Sequence, residues 1–167
     1  MREVQFRRFD EATDLAFFTA LYSSAEVMQY IPSRHVGLTE EGIIAKFSVD
    51  ESCSLFVVEC SLDGSVLGEA GIFKQQDALY NCYELGYILS DAFWGLGYGT
   101  LICKRLITYV FTVLHGNRVL CRMYARNIGS VKIAISCGMK LVEALRLEDG
   151  EYRLTYALLK EDYIAKK

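Results

Sequence analysis

Apolar and polar residues follow two different periods along the chain, and each change of period marks a new element. A first strand is predicted over residues 3–9, where apolar and polar side chains alternate. Apolar residues then recur at helical spacing in three stretches, which predict helices that begin at Glu11, Ala25 and Glu40. Asp10 and Thr39 are the predicted N-caps of the first and third helices, and Pro32 should end the second.

Three strands in succession are predicted between positions 53 and 89. The strand over residues 53–60 contains a continuous apolar run, which is typical of a buried strand. Asp63-Gly64 is a strong hairpin signal that joins it to a strand over residues 66–74. The third strand covers roughly residues 81–89 and carries Glu84 in its middle, so we expect this acid to be largely covered.

The third strand leads into a glycine-rich turn and then into a long apolar helix. Gly95, Gly97 and Gly99 lack the Cβ atoms that would hold a ligand away from the backbone. The first amides of the following helix have no partner within the helix, so the turn suits a phosphate or pyrophosphate. Alternatively, the glycines only permit positive φ or close packing, since neither G-x-G-x-x-G nor a P-loop is present.

The C-terminal part is predicted as a strand, a helix and a closing hairpin. Asn127 is the N-cap of the helix, which runs through Ser136 and ends before Gly138. The three strands are predicted over residues 117–124, 139–147 and 152–159. The tail from Lys160 is charged, and we expect it to be solvated. Strands and helices in this order predict an α/β or α+β fold, with helices on the faces of one sheet.

Length, composition and charge narrow the possible classes of protein. A chain of 167 residues with 52% hydrophobic residues predicts one domain, residues 1–167. A net charge of −3 without a basic block argues against a nucleic-acid partner. The N-terminus has no apolar signal region, and no stretch approaches the roughly 18 apolar residues that span a bilayer. We therefore expect a cytoplasmic protein without a membrane partner.

The cysteines and histidines suggest no metal site. The six cysteines lie singly in apolar surroundings, which predicts reduced, buried thiols: Cys53, Cys60, Cys82, Cys103, Cys121 and Cys137. His35 and His115 are far apart in the sequence, without H-E-x-x-H, so neither a metal centre nor a Ser-His-Asp triad is indicated.

The strand, turn and helix resemble the acetyl-CoA motif Q/R-x-x-G-x-G/A of the GNAT N-acetyltransferases. Gly97 and Gly99 stand in the two small-residue positions, and Trp94 replaces Q/R. That replacement resembles the branch that contains the ribosomal-protein alanine N-acetyltransferases. Four further segments agree with that branch: residues 81–87, residues 26–32, Asn127-x-x-Ser130 followed by Gly138, and residues 156–163.

The resemblance implies a fold and a co-substrate. The fold is a mixed, mostly antiparallel sheet of about seven strands, splayed open beside the strand of Glu84, with helices on both faces. Acetyl-CoA is the implied co-substrate, without a metal; its pantetheine pairs with backbone in that gap, and its pyrophosphate meets the amides after Trp94. The implied cofactor-binding residues are Ile88, Leu89, Gly95, Leu96, Gly97, Tyr98, Gly99, Thr100, Asn127 and Ser130.

Acetyl transfer to an amine requires a base, because alkyl amines with a pKa of about 10.4 are mostly protonated near pH 7. Glu84 is the candidate, acting directly or through a water. Alternatively, Glu84 pairs with an arginine or caps a backbone group. Glu69 could serve instead or hold the amine cation, and Tyr30 could line the substrate pocket. A backbone amide near Ile88 or Leu89 is expected to hold the oxyanion.

A proton donor for the CoA thiolate is harder to identify. By resemblance Ser130 or Asn127 lies near the sulfur, although the two residues also fit the N-cap and N3 positions of a helix. Many GNAT enzymes have a tyrosine four residues beyond that serine, and here the position is Ala134. Tyr124 and Tyr156 are possible substitutes, or strand aromatics with hydroxyls at the rim.

The resemblance predicts an N-acetyltransferase that moves an acetyl group to a primary amine by direct attack in a ternary complex. The acceptor is a protein N-terminus or a small-molecule amine. The missing tyrosine leaves a second reading, a non-catalytic acetyl-CoA-binding sensor or interaction module. A third possibility is a nucleotide-binding protein that uses the same turn. Monomer and homodimer are both compatible with the sequence.

Overall fold

The computed structural model describes residues 3–31, 37–48 and 53–165 of the chain. Its strands are β1 (Val4–Arg7), β2 (Cys53–Cys60), β3 (Val66–Lys74), β4 (Cys82–Leu89), β5 (Arg118–Tyr124), β6 (Lys140–Arg146) and β7 (Tyr152–Leu159). Its helices are α1 (Glu11–Ser23), α2 (Ala25–Met28), α3 (Glu40–Phe47), α4 (Tyr98–Thr112), α5 (Ile128–Ser136) and α6 (Lys160–Ile164), with a 3₁₀ turn at Asp91–Phe93. Pro32 and His35 lie outside the described residues.

The strands form one seven-stranded sheet in the order β1-β2-β3-β4-β5-β7-β6. The pairs β1–β2, β5–β7 and β6–β7 are antiparallel, whereas β4 and β5 are parallel. A mostly antiparallel open sheet with helices confirms the fold class predicted above. Among the described residues, no helix combines the length and the apolar character that crossing a bilayer requires.

The chain divides into two compact units, and the division falls within β3 and β4. The first unit contains Met1–Gly71 and Tyr87–Tyr98. Its core consists of apolar side chains from α1, α2, α3, β2 and β4: Phe18, Leu21, Tyr22, Val27, Met28, Ile43, Val57 and Ile88. Both predicted N-caps are confirmed, because Asp10 Oδ1 accepts from the Ala12 amide at 3.0 Å and Thr39 Oγ1 from the Gly42 amide at 3.2 Å.

The second unit contains Ile72–Gly86 and Gly99–Lys167. In it, α5 is capped as predicted, by Asn127, and Gly138 follows with a φ of 82° that favours glycine. Residues 160–164, predicted only as a solvated tail, form the short helix α6, and none of its residues is buried. Lys160 Nζ donates to the Phe111 carbonyl at 2.7 Å, and the ring of Tyr163 lies 5.3 Å from that of Phe111. These contacts hold the charged segment on α4.

The cysteines follow the prediction in part. Cys60, Cys82, Cys103 and Cys121 are free, buried thiols, whereas Cys137 is half-buried and the side chain of Cys53 lies outside the described residues. Two of these thiols have a raised pKa, and a hydrogen bond to another thiol is the main cause in each. The bond to Cys121 raises the pKa of Cys103, and the bond to Cys103, together with burial, raises the pKa of Cys137. Neither thiol is activated as a nucleophile.

Candidate active site

The parallel pairing between β4 and β5 is short. It joins Cys82 to Arg118, Tyr83 to Val119 and Glu84 to Leu120, and it ends there. By contrast, β5 pairs with β7 along its whole length, from Arg118 to Tyr124. The ladder between β4 and β5 therefore stops at Glu84, five residues before β4 ends at Leu89.

The end of β4 directs its backbone groups alternately to the two sides of the strand. The Ser90 amide donates to the Leu67 carbonyl of β3 at 3.0 Å. Because backbone groups of an extended strand alternate, the Ile88 amide also faces β3, whereas the Leu89 amide faces away from it. The Leu89 carbonyl accepts the indole N–H of Trp94 at 3.0 Å. Trp94 thus fixes the start of the glycine turn to the end of the strand.

The turn after Trp94 has the backbone geometry that its glycines predict. Gly95 has a φ of 69° and Gly97 a φ of 86°, both in the left-handed region. A Cβ atom added at Gly95 would meet no atom within 4 Å, so the space beside this backbone is open. Helix α4 begins at Tyr98, directly after Gly97, so Gly99 lies inside its first turn. An open backbone that leads into a helix N-terminus fits an anionic diphosphate.

Glu84 is less covered than expected. Its side chain is 26% exposed and forms an ion pair with Arg122, whose side chain is 33% exposed. Arg122 Nη1 also donates to Gln75 Oε1 at 3.1 Å. The structure therefore shows the predicted pairing with an arginine, and the role of Glu84 as the base stays a prediction.

Glu69 is buried and already engaged by an amine of the chain itself. The Nζ atom of Lys46 lies 2.6 Å from Oε1 and 2.8 Å from Oε2 of Glu69. The Tyr22 hydroxyl donates to the same carboxylate, and Lys46 Nζ lies 4.4 Å from the centre of the Tyr22 ring. Burial and the charge of Glu69 raise the pKa of Tyr22. The sequence analysis missed Lys46, because nothing in its surroundings along the chain indicates a partner 23 residues away.

The remaining predicted residues lie on β5, α5 and β7 or after α2. Asn127 Oδ1 accepts the Ser130 amide at 3.1 Å, and Ser130 is half-buried. Ala134 and Tyr156 are buried. Tyr124 is half-buried, and the guanidinium of Arg126 lies 5.1 Å from the centre of its ring. Tyr30, just after α2, is half-buried too.

The predicted site residues fall into both units. Ile88, Leu89 and the turn over residues 94–98 belong to the first unit, as do Glu69 and Tyr30. Glu84, Gly99, Thr100, Asn127 and Ser130 belong to the second unit. Within the described part of the chain, no group of three or more His, Cys, Asp or Glu side chains is placed to hold a metal ion.

Comparison with known proteins identifies the family. Residues 3–140 match the acetyltransferase (GNAT) domain family. A protein of Bacillus licheniformis named uncharacterized N-acetyltransferase p20 is 28% identical over 163 residues, which cover 92% of this chain and 91% of that protein.

Two solved structures share the fold. Spermidine N-acetyltransferase from Vibrio cholerae, in complex with CoA and spermine, has a TM-score of 0.83 at 18% identity and covers 96% of this chain and 98% of its own. A GNAT-family acetyltransferase from Bacillus anthracis has a TM-score of 0.83 at 20% identity, with the same coverage. The chain thus belongs to the acetyltransferase (GNAT) domain family and is an acyltransferase.

Proposed function

We propose that this acyltransferase moves an acetyl group from acetyl-CoA to a primary amine by direct attack in a ternary complex. The end of the β4–β5 ladder at Glu84, followed along the chain by the open turn at Gly95, is the observation that carries this proposal. The chain continues without interruption from a strand end, which suits backbone pairing with pantetheine, to an anion-binding turn. Acetyl-CoA supplies the acetyl group as an activated thioester.

The cofactor is held mainly by backbone groups in this proposal. The amides from Gly95 to Thr100 bind the pyrophosphate, because the first amides of α4 have no helical partner and the helix dipole favours an anion there. Asn127 and Ser130, at the start of α5, contact the pantetheine end. We assign the acetyl carbonyl oxygen to the Leu89 amide rather than to that of Ile88, since only the former faces away from β3.

Glu84 accepts the proton of the amine in this proposal. Its side chain is 26% exposed, whereas that of Glu69 is 6% exposed and bound by Lys46. Solvent access allows Glu84 to exchange a proton through a water molecule, and its ion pair with Arg122 keeps the carboxylate in place. We assign the proton donor for the thiolate to the Ser130 hydroxyl, because Ala134 has no proton to give.

The acceptor class is a primary amine, and two kinds are proposed. Spermidine is the first to test, because a spermidine N-acetyltransferase shares the fold. A peptide with an N-terminal alanine is the second, because the sequence resembles the ribosomal-protein alanine branch. Initial rates of acetyl transfer to the two acceptors distinguish these possibilities. A higher rate with spermidine indicates an enzyme for small-molecule amines, and a higher rate with the peptide indicates an enzyme for protein N-termini.

Binding of acetyl-CoA, measured by isothermal titration calorimetry, tests the first step. Gly95→Val should weaken binding at least about 100-fold. Gly64→Val is the matched control, because Gly64 has a similar φ of 74° and equally open surroundings but lies in the β2–β3 turn. Absence of wild-type binding at about 1 mM acetyl-CoA refutes the proposal. Equal losses in the two variants contradict the role of the turn.

Acceptor-dependent release of CoA tests the second step. Glu84→Gln should lower kcat about 100-fold or more and leave acetyl-CoA binding unchanged. Turnover that survives this substitution removes Glu84 as the base while the enzyme assignment stands. Binding without turnover on a broad panel of amines favours the non-catalytic sensor instead.

A further inference from the structure

Gly68 of β3 lies directly against the peptide group that joins Ile88 to Leu89 at the end of β4. A Cβ atom added at Gly68 would stand 2.0 Å from the Ile88 carbonyl oxygen, 3.0 Å from the Ile88 carbonyl carbon and 2.9 Å from Leu89 Cα. No side chain fits so close to a backbone oxygen, and the φ of Gly68 is 151°, which side chains rarely adopt. Close approach and backbone angle therefore both require glycine here.

The peptide group that touches Gly68 is the one that contains the Leu89 N–H. A trans peptide is planar, and its C=O and N–H point in opposite directions. The Ile88–Leu89 peptide is trans, and its carbonyl oxygen points to Gly68, so the Leu89 N–H points away from β3. The contact with Gly68 thus sets the direction of the amide that was assigned above to the acetyl carbonyl oxygen. All three residues belong to the first unit.

Strand β3 is held firmly at this point. Residues 67–72 are buried, and the Glu69 carboxylate is fixed by its ion pair with Lys46 at 2.6 Å. The ladder between β4 and β5 ends at Glu84, so the Ile88–Leu89 peptide lies beyond it. A methyl group in place of the glycine hydrogen would therefore displace the Ile88–Leu89 peptide rather than β3. The Ile88 oxygen would have to move by about 1 Å or more, since carbon–oxygen contacts begin near 3.3 Å.

We propose that Gly68 is a positioning residue for acetyl transfer, because it lets the Ile88–Leu89 peptide approach β3 so closely that the Leu89 N–H is aimed at the acetyl carbonyl oxygen. This inference rests on the proposed function, since it concerns the amide that holds the oxyanion there. Gly68 itself touches neither the acetyl group nor the amine. It acts through the orientation of one peptide plane.

The reaction needs this orientation when charge develops on the acetyl oxygen. Attack of the amine forms the C–N bond and moves the π-electron pair of the carbonyl onto oxygen, where the Leu89 N–H stabilises the negative charge. The pair returns as the C–S bond breaks, Glu84 takes the amine proton, and Ser130 protonates the leaving thiolate. A donor that is misplaced by about 1 Å costs about 100-fold in rate.

Nuclear magnetic resonance can observe the Leu89 amide alone, because Ile88-Leu89 is the only Ile-Leu pair in the sequence. Protein labelled at the carbonyl carbon of isoleucine and at the nitrogen of leucine gives one signal in a carbonyl–amide correlation spectrum. Acetyl-CoA should move the amide proton of this signal downfield, since a hydrogen bond to the acetyl oxygen forms. CoA, which has no acetyl group, is the matched ligand control and should not produce that shift.

Gly68→Ala should displace the signal before any ligand is added and should abolish the downfield shift with acetyl-CoA. Its kcat should fall about 100-fold, whereas the dissociation constant of acetyl-CoA should change less than about 3-fold. Gly116→Ala is the matched control for strain, because its added Cβ would lie 2.5 Å from Val110 Cγ1 and 3.0 Å from the Tyr83 ring, between α4 and β5. This control should lower the thermal midpoint but leave the Leu89 signal and kcat unchanged.

The outcomes separate this inference from the proposed function. A wild type that does not bind acetyl-CoA refutes both. Binding without a downfield shift, or a folded Gly68→Ala that keeps the shift and kcat, overturns the role of Gly68 while the enzyme assignment stands. If Gly68→Ala does not fold, the nuclear Overhauser effect between Gly68 Hα and Leu89 Hα in the wild type decides. It should persist in the acetyl-CoA complex, and its loss there overturns the proposal.

Discussion

Replacing Lys46 by methionine should destabilise the protein strongly, because it leaves the buried Glu69 carboxylate without its cation. The two side chains are 18% and 6% exposed, so the pair is largely withdrawn from water. Removal of one partner from a buried ion pair costs about 3–5 kcal/mol. Tyr22 still donates a hydrogen bond to Glu69 in this variant, so we expect the lower value, about 3 kcal/mol.

Urea unfolding followed by circular dichroism measures this free energy. For a domain of this size, about 3 kcal/mol also corresponds to a fall of roughly 6–12 °C in the unfolding midpoint. A double-mutant cycle with Glu69→Gln should give a coupling of at least about 2 kcal/mol. Lys140→Met is the matched control, because the Lys140–Asp162 pair is exposed, at 68% and 37%, and should contribute less than about 1 kcal/mol.

A cost for Lys46→Met that equals the cost for Lys140→Met would refute this reasoning. Such a result would mean that water reaches Glu69 in solution and screens its charge as at the surface. Glu69 would then be available to hold the cation of an amine substrate, as the sequence suggested. The stability measurement therefore decides between a structural and a substrate-binding role for Glu69.

Three further substitutions test individual contacts. Burial opposes ionisation of Asp14, but hydrogen bonds from Arg7 and from the Asp10 amide outweigh it and lower its pKa below the ordinary 3.8. This stabilisation is present above pH 3.8 and is lost as the pH falls through the folded pKa, so thermal midpoints at pH 7 and pH 3 should differ less in Asp14→Asn than in the wild type. Asp10→Ala removes the N-cap of α1 and should lower the free energy of unfolding by about 1 kcal/mol in urea. Ser130→Ala should lower kcat about 10-fold or more with KM for the amine unchanged, and an unaltered kcat excludes it as proton donor.

The elements of the fold could be predicted where their signals are local. The caps Asp10, Thr39 and Asn127 each bond to an amide two or three residues ahead, so the sequence contains the whole interaction. Helix α6 could not be predicted, because Lys160 is held by the Phe111 carbonyl, 49 residues earlier. The charged composition of that segment predicted its solvation, which agrees with a helix that has no buried residue, but did not predict the helix itself.

The candidate site, like the fold, could be predicted from the sequence only where its signals are local. The glycine turn follows from residue spacing, and the positive φ angles at Gly95 and Gly97 agree with it. The partners of the two carboxylates come from distant positions: Lys46 is 23 residues from Glu69, and Arg122 is 38 residues from Glu84. Residue types alone identified both acids but not which cation would neutralise each.

Solvent access, more than charge, distinguishes the two acids. Glu69 and Glu84 each have a basic partner from the chain, so both are compensated in the resting protein. A catalytic base must pass on its proton in every turnover, and it needs a route to water or substrate for that purpose. The Glu69 carboxylate is buried beneath Lys46 and Tyr22, and moving a proton there would break a buried ion pair. Glu84 could take and release a proton while Arg122 keeps its second contact with Gln75, and for this reason we propose the more exposed acid as the base.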